Sequence, residues 1–140
     1  MDVKTIYDFL RDAPEPAAGA EMILVLGSHD RRVPGYAAEL YLSGSAPLLV
    51  CKPYMNRRTL ATGQKQWPEV RWSIGTPDIP FEEYFPGGPT GQEVSIMVGD
   101  LFRLETYAQR GYQVPVEIPD YVRRAGERLI KAGFDRQLVR

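Results

Sequence analysis

Residues 21–50 read EMILVLGSHDRRVPGYAAELYLSGSAPLLV, and the expected fold class turns on how that stretch is parsed. Glu21 to Gly27 is a continuous apolar run closed by glycine, which reads as a strand buried on both faces. The turn Gly27-Ser28-His29-Asp30 follows. Val33 to Leu42 reads as a helix. Pro34 suits its first turn, where a missing N–H costs nothing; Val33, Ala37, Leu40 and Tyr41 fall at helical spacing; Gly44 is a natural stop. Ala46 to Cys51 reads as a second buried strand.

Beyond this stretch the same alternation continues. Asn56 can cap a helix running to Gln66, with Leu60 and Gly63 facing inward, and Pro68 forces its end. Glu69 to Ile74 alternates charged and apolar residues, as a strand near a sheet edge does. Strand, helix, strand, helix, strand with short connections implies parallel pairing through right-handed crossovers. The expected fold is therefore α/β and Rossmann-like, a small parallel sheet of about three strands, fewer than the usual ~5–6, flanked by helices.

One domain spans residues 1–140 in this reading. An N-terminal extension (1–20) holds a short helix, Thr5 to Arg11, and the linker APEPAAG at 13–19. The α/β centre covers 21–76. A Pro/Gly-rich loop at 77–91 carries one helical turn, Phe81 to Phe85. The helical C-terminal part (92–140) holds two helices, Gln92 to Gln109 and Pro119 to Ala132, each with apolar residues three or four apart. A sheet this small leaves apolar edges, to be covered by the C-terminal helices or by a second copy of the chain.

Composition narrows the function. The chain has 140 residues, 17 Lys and Arg against 18 Asp and Glu, and a net charge of −1, so charge gives no case for nucleic-acid binding. A single Cys excludes an internal disulfide, and one Cys with one His makes a zinc site improbable, so no metal is expected. Apolar runs fall far short of the ~20 residues of a membrane span. The opening MDVKTIYDFLRDAPEP carries acids within its apolar stretch and does not resemble a signal peptide, so a soluble, cytoplasmic protein is expected.

In an open parallel sheet, ligands bind beyond the carboxyl ends of the strands. Two loops lie there. The sharper case is Lys52-Pro53-Tyr54-Met55-Asn56-Arg57-Arg58. A helix N-terminus normally attracts acids, yet this one has Arg57 and Arg58 in its first turn and Lys52 just before. That pattern is unfavourable unless an anion compensates it; phosphate or carboxylate would fit. The alternative is that both arginines fan into water. The other loop, Gly27-Ser28-His29-Asp30-Arg31-Arg32, has small residues that admit a ligand to the backbone, but no dinucleotide or Walker motif. Asp30 could bond a ribose hydroxyl or pair with Arg31 or Arg32. His29 could act as a base, although no triad partner is spaced for it, and no catalytic residue is assigned. Cys51 reads as a buried small hydrophobe. Asp100 interrupts an apolar face and could reach a cleft, or pair with Arg103 or Arg57. Trp67 and Trp72 read as packing; Phe81, Tyr84 and Phe85 as a lid or as an anchor for the long loop.

At these loops the sequence resembles the YdcF/SanA/ElyC-like family, a widespread bacterial group with a Rossmann-like α/β fold. The matching residues are MILVLGSHDRRV at 22–33, AAELY at 37–41, GSAP at 44–47 and LVCKPYMNRR at 49–58. Further likeness lies in IMVGDL at 96–101 and GFDR at 133–136. The family's Ser-Gly-Gly, its following helices and strand, and its Ser-Thr-Asn-Thr-x-Glu-Asn segment are absent, as if two family strands were fused. The resemblance implies binding of an adenosyl compound or nucleotide, S-adenosylmethionine first. It places Gly27, Ser28, His29, Asp30 and Arg32 on one side, with Lys52, Tyr54, Arg57 and Arg58 on the other. The expected function is thus binding of an anionic small ligand, in a monomer or a homodimer. The alternative is a truncated, non-catalytic paralogue that serves as a protein-interaction module or retains no activity.

Overall fold

The computed structural model describes residues 1–12, 24–25, 32–43, 49–50, 52–69, 72 and 74–139. The elements run α1 (Asp2–Arg11), β1 (Leu24–Val25), α2 (Arg32–Leu42), β2 (Leu49–Val50), a 3-10 turn (Pro53–Met55), α3 (Asn56–Gln66), β3 (Ile74–Gly75), α4 (Phe81–Tyr84), α5 (Gly91–Gln109) and α6 (Asp120–Lys131).

The α/β, Rossmann-like expectation is corrected here: this is a helical protein. Strand pairing among the described residues is confined to two residues per strand, parallel, in the order β1-β2-β3. At about 3.3 Å per residue, such segments span only some 7 Å. They make a short ladder, touched by α2 at β1 and β2 and by α3 at β2 and β3. The main core is instead helix on helix. Its buried members come from α1 (Ile6, Tyr7, Phe9, Leu10), α5 (Val94, Met97, Val98, Leu101, Leu104) and α6 (Val122, Ala125), joined by Tyr54, Phe85 and Ile118.

The physical reason lies in which apolar periodicity finds a partner. Helix α1 repeats its apolar residues at helical spacing, and Ile6, Tyr7 and Leu10 are completely buried. Placed by its sequence in an extension, α1 stands at the centre of the core, packed against α3, α5 and α6. Close approach of α6 to α5 depends on Gly126, where an added Cβ would come within 2.8 Å of Phe102 and 2.9 Å of Leu101. Helix α5 opens with a capping box, Thr90 and Glu93 each satisfying the other's backbone N–H. Helix α2 carries a small separate cluster of Val33 and Ala37 with Tyr36 and Leu40.

The long loop is closed by rings. The Tyr7 hydroxyl donates to the Ile79 carbonyl at 2.8 Å, and its ring meets Phe81, Tyr84 and Phe85 at 5.5–5.8 Å. Burial pushes the Tyr7 phenol far above its ordinary range, so it stays a neutral donor. The aromatic residues at 81, 84 and 85 thus anchor the loop.

Candidate functional site

The start of α3 decides where the expected cationic site goes. Arg57 and Arg58 are adjacent, so on a helix their side chains leave about 100° apart. They serve different neighbours.

Arg57 turns to the carboxyl end of α1. Its Nε donates to the Phe9 carbonyl at 2.6 Å, its Nη2 to Asp12 Oδ2 at 3.1 Å, and its guanidinium lies 4.2 Å from the centroid of the Phe9 ring. Asn56 does not cap α3; Met55 holds the N-cap position, and the Asn56 Nδ2 donates to the Arg11 carbonyl at 2.9 Å. The last carbonyls of a helix are unsatisfied and carry its negative end. Asn56 and Arg57 supply donors and a positive charge to that end of α1. The anion that compensates this part of the first turn of α3 is therefore internal.

Arg58 turns to α5. Asp100 is buried, its side chain 4% exposed, and a carboxylate so placed must be paired. Arg103, one turn along, donates from Nη1 to Asp100 Oδ1 at 2.9 Å, and from Nη2 to the Gln137 carbonyl at 2.8 Å. The Arg58 Nε stands 3.1 Å from the same carboxylate oxygen. That is ion-pair range but not hydrogen-bond alignment, and this buried N–H has no hydrogen-bond acceptor among the described residues. Among the described residues, two guanidinium groups thus face one carboxylate, with a formal balance of +1. Both arginine side chains keep roughly a fifth of their surface exposed, 21% for Arg58 and 18% for Arg103.

The remaining expected residues are scattered. Arg32 lies 4.5 Å from the centroid of the Tyr84 ring, and Tyr54, buried, meets the same ring edge-on at 5.9 Å. Lys52 is half-buried beside the 3-10 turn. Gly27, Ser28, His29 and Asp30, with Cys51, lie outside the described residues. Arg32 and Tyr54 are thus brought to one aromatic ring, whereas Arg57 and Arg58 are parted. Sequence reasoning missed the tie from Arg58 to Asp100. The signal was a charge on the buried face of α5, which demands a cation; which helix supplies it is a tertiary fact.

An open groove of about 440 Å³ runs beside α1, lined by Thr5, Asp8, Phe9, Arg11, Asp12 and Tyr121. Its charged groups are matched within the protein: Asp8 to Lys4, Arg11 to Asp78 and Asp12 to Arg57. Among the described residues no group of three or more His, Cys, Asp or Glu could hold a metal ion, and no helix is long and apolar enough to cross a membrane.

No family model matches the chain, so none carries the resemblance to the YdcF-like group. No solved structure matches it. The chain is similar to a protein of Streptomyces coelicolor named Uncharacterized protein SCO4629, with 33% identity over 102 residues. The match covers 72% of this chain and 46% of that protein, so the chain spans about half the length of the curated relative it matches.

Proposed function

We propose that the chain binds a small anionic ligand at the junction of α3 and α5, through Arg58 and Arg103. The observation that carries this reading is the +1 imbalance there: two guanidinium groups, each partly exposed, converge on the single buried oxygen Asp100 Oδ1. Among the described residues, Arg58 also keeps an unused buried N–H donor. Guanidinium donors match phosphate and carboxylate geometry. S-adenosylmethionine and nucleotides carry such groups and are the organic probes. Lys52, ahead of α3, is a third cation within the proposal.

Thermal melting with inorganic phosphate, S-adenosylmethionine, its demethylated product and nucleotides tests this. A ligand held at a hundred times its dissociation constant adds about 2.7 kcal/mol, a rise of several degrees. The rise should vanish in Arg58→Gln. No shift with any probe, or a shift retained in that variant, refutes the site.

A second reading, an interaction module, is favoured by a different observation. Trp67 and Tyr112 are 53% and 52% exposed, and the Gln66 side chain, donating to the Tyr112 carbonyl at 3.1 Å, ties the two segments together. Trp and Tyr dominate interface hot spots. A net charge of −1 offers little self-repulsion, so the partner in this reading is a second copy of the chain. Light scattering on wild type and Trp67→Ala tests it; a monomer at all concentrations removes it. A cytoplasmic location belongs to either reading and is tested by cell fractionation.

A further inference from the structure

The residues after α6 fold back over the same junction. Gly133, at φ +94°, ends the helix in the left-handed conformation that favours glycine. The chain then turns, with the Leu138 N–H donating to the Asp135 carbonyl at 3.1 Å, and Phe134 and Leu138 rest half-buried against the core. Between them Gln137 lies directly on α5. A Cβ on Gly99 would stand 2.7 Å from both the Cβ and the carbonyl oxygen of Gln137. Gly99 therefore gives this strap its seat. It is also the neighbour of Asp100.

Arg103 connects strap and site. One guanidinium nitrogen is on Asp100 and the other on the Gln137 carbonyl, at 2.9 and 2.8 Å. Of the donors that would meet an anion, the strap therefore occupies one. A neutral carbonyl is a weaker partner for a guanidinium than a phosphate or carboxylate oxygen.

We propose that residues 134–138 are a latch that competes with the anion for Arg103. This rests on the anion-site reading above. With the latch seated, Arg103 is shared between Asp100 and Gln137; with it lifted, a donor turns free beside Arg58 and a phosphate-sized anion binds both arginines. The affinity measured for the intact chain is reduced by the fraction of time the latch is open.

Two full-length variants lift the latch by different means. Gly99→Ala puts a methyl where Gln137 sits; it also comes within 3.0 Å of Arg103 Nη1. Leu138→Ser removes an apolar anchor of the strap and leaves α5 unchanged. Phosphate binding is measured by calorimetry, and latch release by the rate of trypsin cleavage after Arg136. For a latch closed about nine-tenths of the time, both variants should bind phosphate about tenfold more tightly than wild type. Both should also be cleaved faster. Faster cleavage with unchanged phosphate affinity overturns the competition and leaves the site standing. Unchanged cleavage in both variants overturns the latch. No phosphate binding in any of the three proteins overturns the site, and the competition with it.

Discussion

Replacing Asp100 by Asn keeps the shape of the α3–α5 junction and removes the carboxylate that Arg58 and Arg103 share. Removing one partner from a fully buried ion pair costs about 3–5 kcal/mol, because the other charge is left uncompensated. Here the stranded groups are two guanidiniums with 21% and 18% of their side chains exposed, so water screens part of the repulsion. Arg103 also keeps the Gln137 carbonyl. The expected loss is therefore below the buried limit, about 2–3 kcal/mol. For 140 residues, each kcal/mol moves the melting temperature by about 3–4 °C, giving a drop of about 6–12 °C. Arg58→Met should cost less, because the Asp100–Arg103 pair it leaves is neutral. Thermal denaturation of the two variants supplies the comparison. Phosphate should restore part of the stability of Asp100→Asn, since an added anion takes the place of the carboxylate. If Asp100→Asn melts at or above the wild-type temperature, the two arginines are not held against a buried charge and the reasoning fails.

Arg57→Ala removes the donors on the Phe9 carbonyl and Asp12 together with the ring contact, and should destabilise by about 1–2 kcal/mol, read by urea denaturation. Phosphate affinity should be unchanged in that variant, because Arg57 faces α1. Gly126→Ala gains about 1 kcal/mol of helix propensity but forces a methyl within 3 Å of Phe102 and Leu101, at a cost of about 1–3 kcal/mol. The net expectation is a lower melting temperature. Asp2, hydrogen-bonded by Arg128 at 2.7 and 2.8 Å, is held below its ordinary value of 3.8. A carboxylate depressed in the folded state contributes stability above its unfolded value, and loses it as pH falls through the folded one. Acid titration of melting should therefore show a component below about pH 3.8 that Asp2→Asn abolishes.

The helices were largely legible because their periodicity is local. The helix at Gln92 to Gln109 needed only its own spacing, and the structure adds one residue at its start, Gly91, behind the Thr90 cap. The class was not legible because a short apolar run does not by itself say whether it is a strand. Periodicity alone cannot distinguish a buried strand from other buried chain at that length. Ile6, Tyr7 and Leu10 are completely buried, which makes α1 central. Nothing local in residues 1–11 says what α1 packs against.

The arginines show a second limit of local reading. An acid-free first turn bearing Arg57 and Arg58 is unfavourable without a negative counterpart. What the sequence leaves open is where that counterpart comes from. Arg57 finds it in the carbonyl end of α1 and in Asp12, which closes its account within the fold. Arg58 finds a carboxylate already held by Arg103. The two neighbours therefore make opposite predictions under added anion. Phosphate should stabilise the wild type and Arg57→Ala by the same increment, and should leave Arg58→Gln unmoved. An increment that depends equally on both arginines would place the anion at the first turn of α3 as a whole, and would refute the division of roles drawn from their contacts.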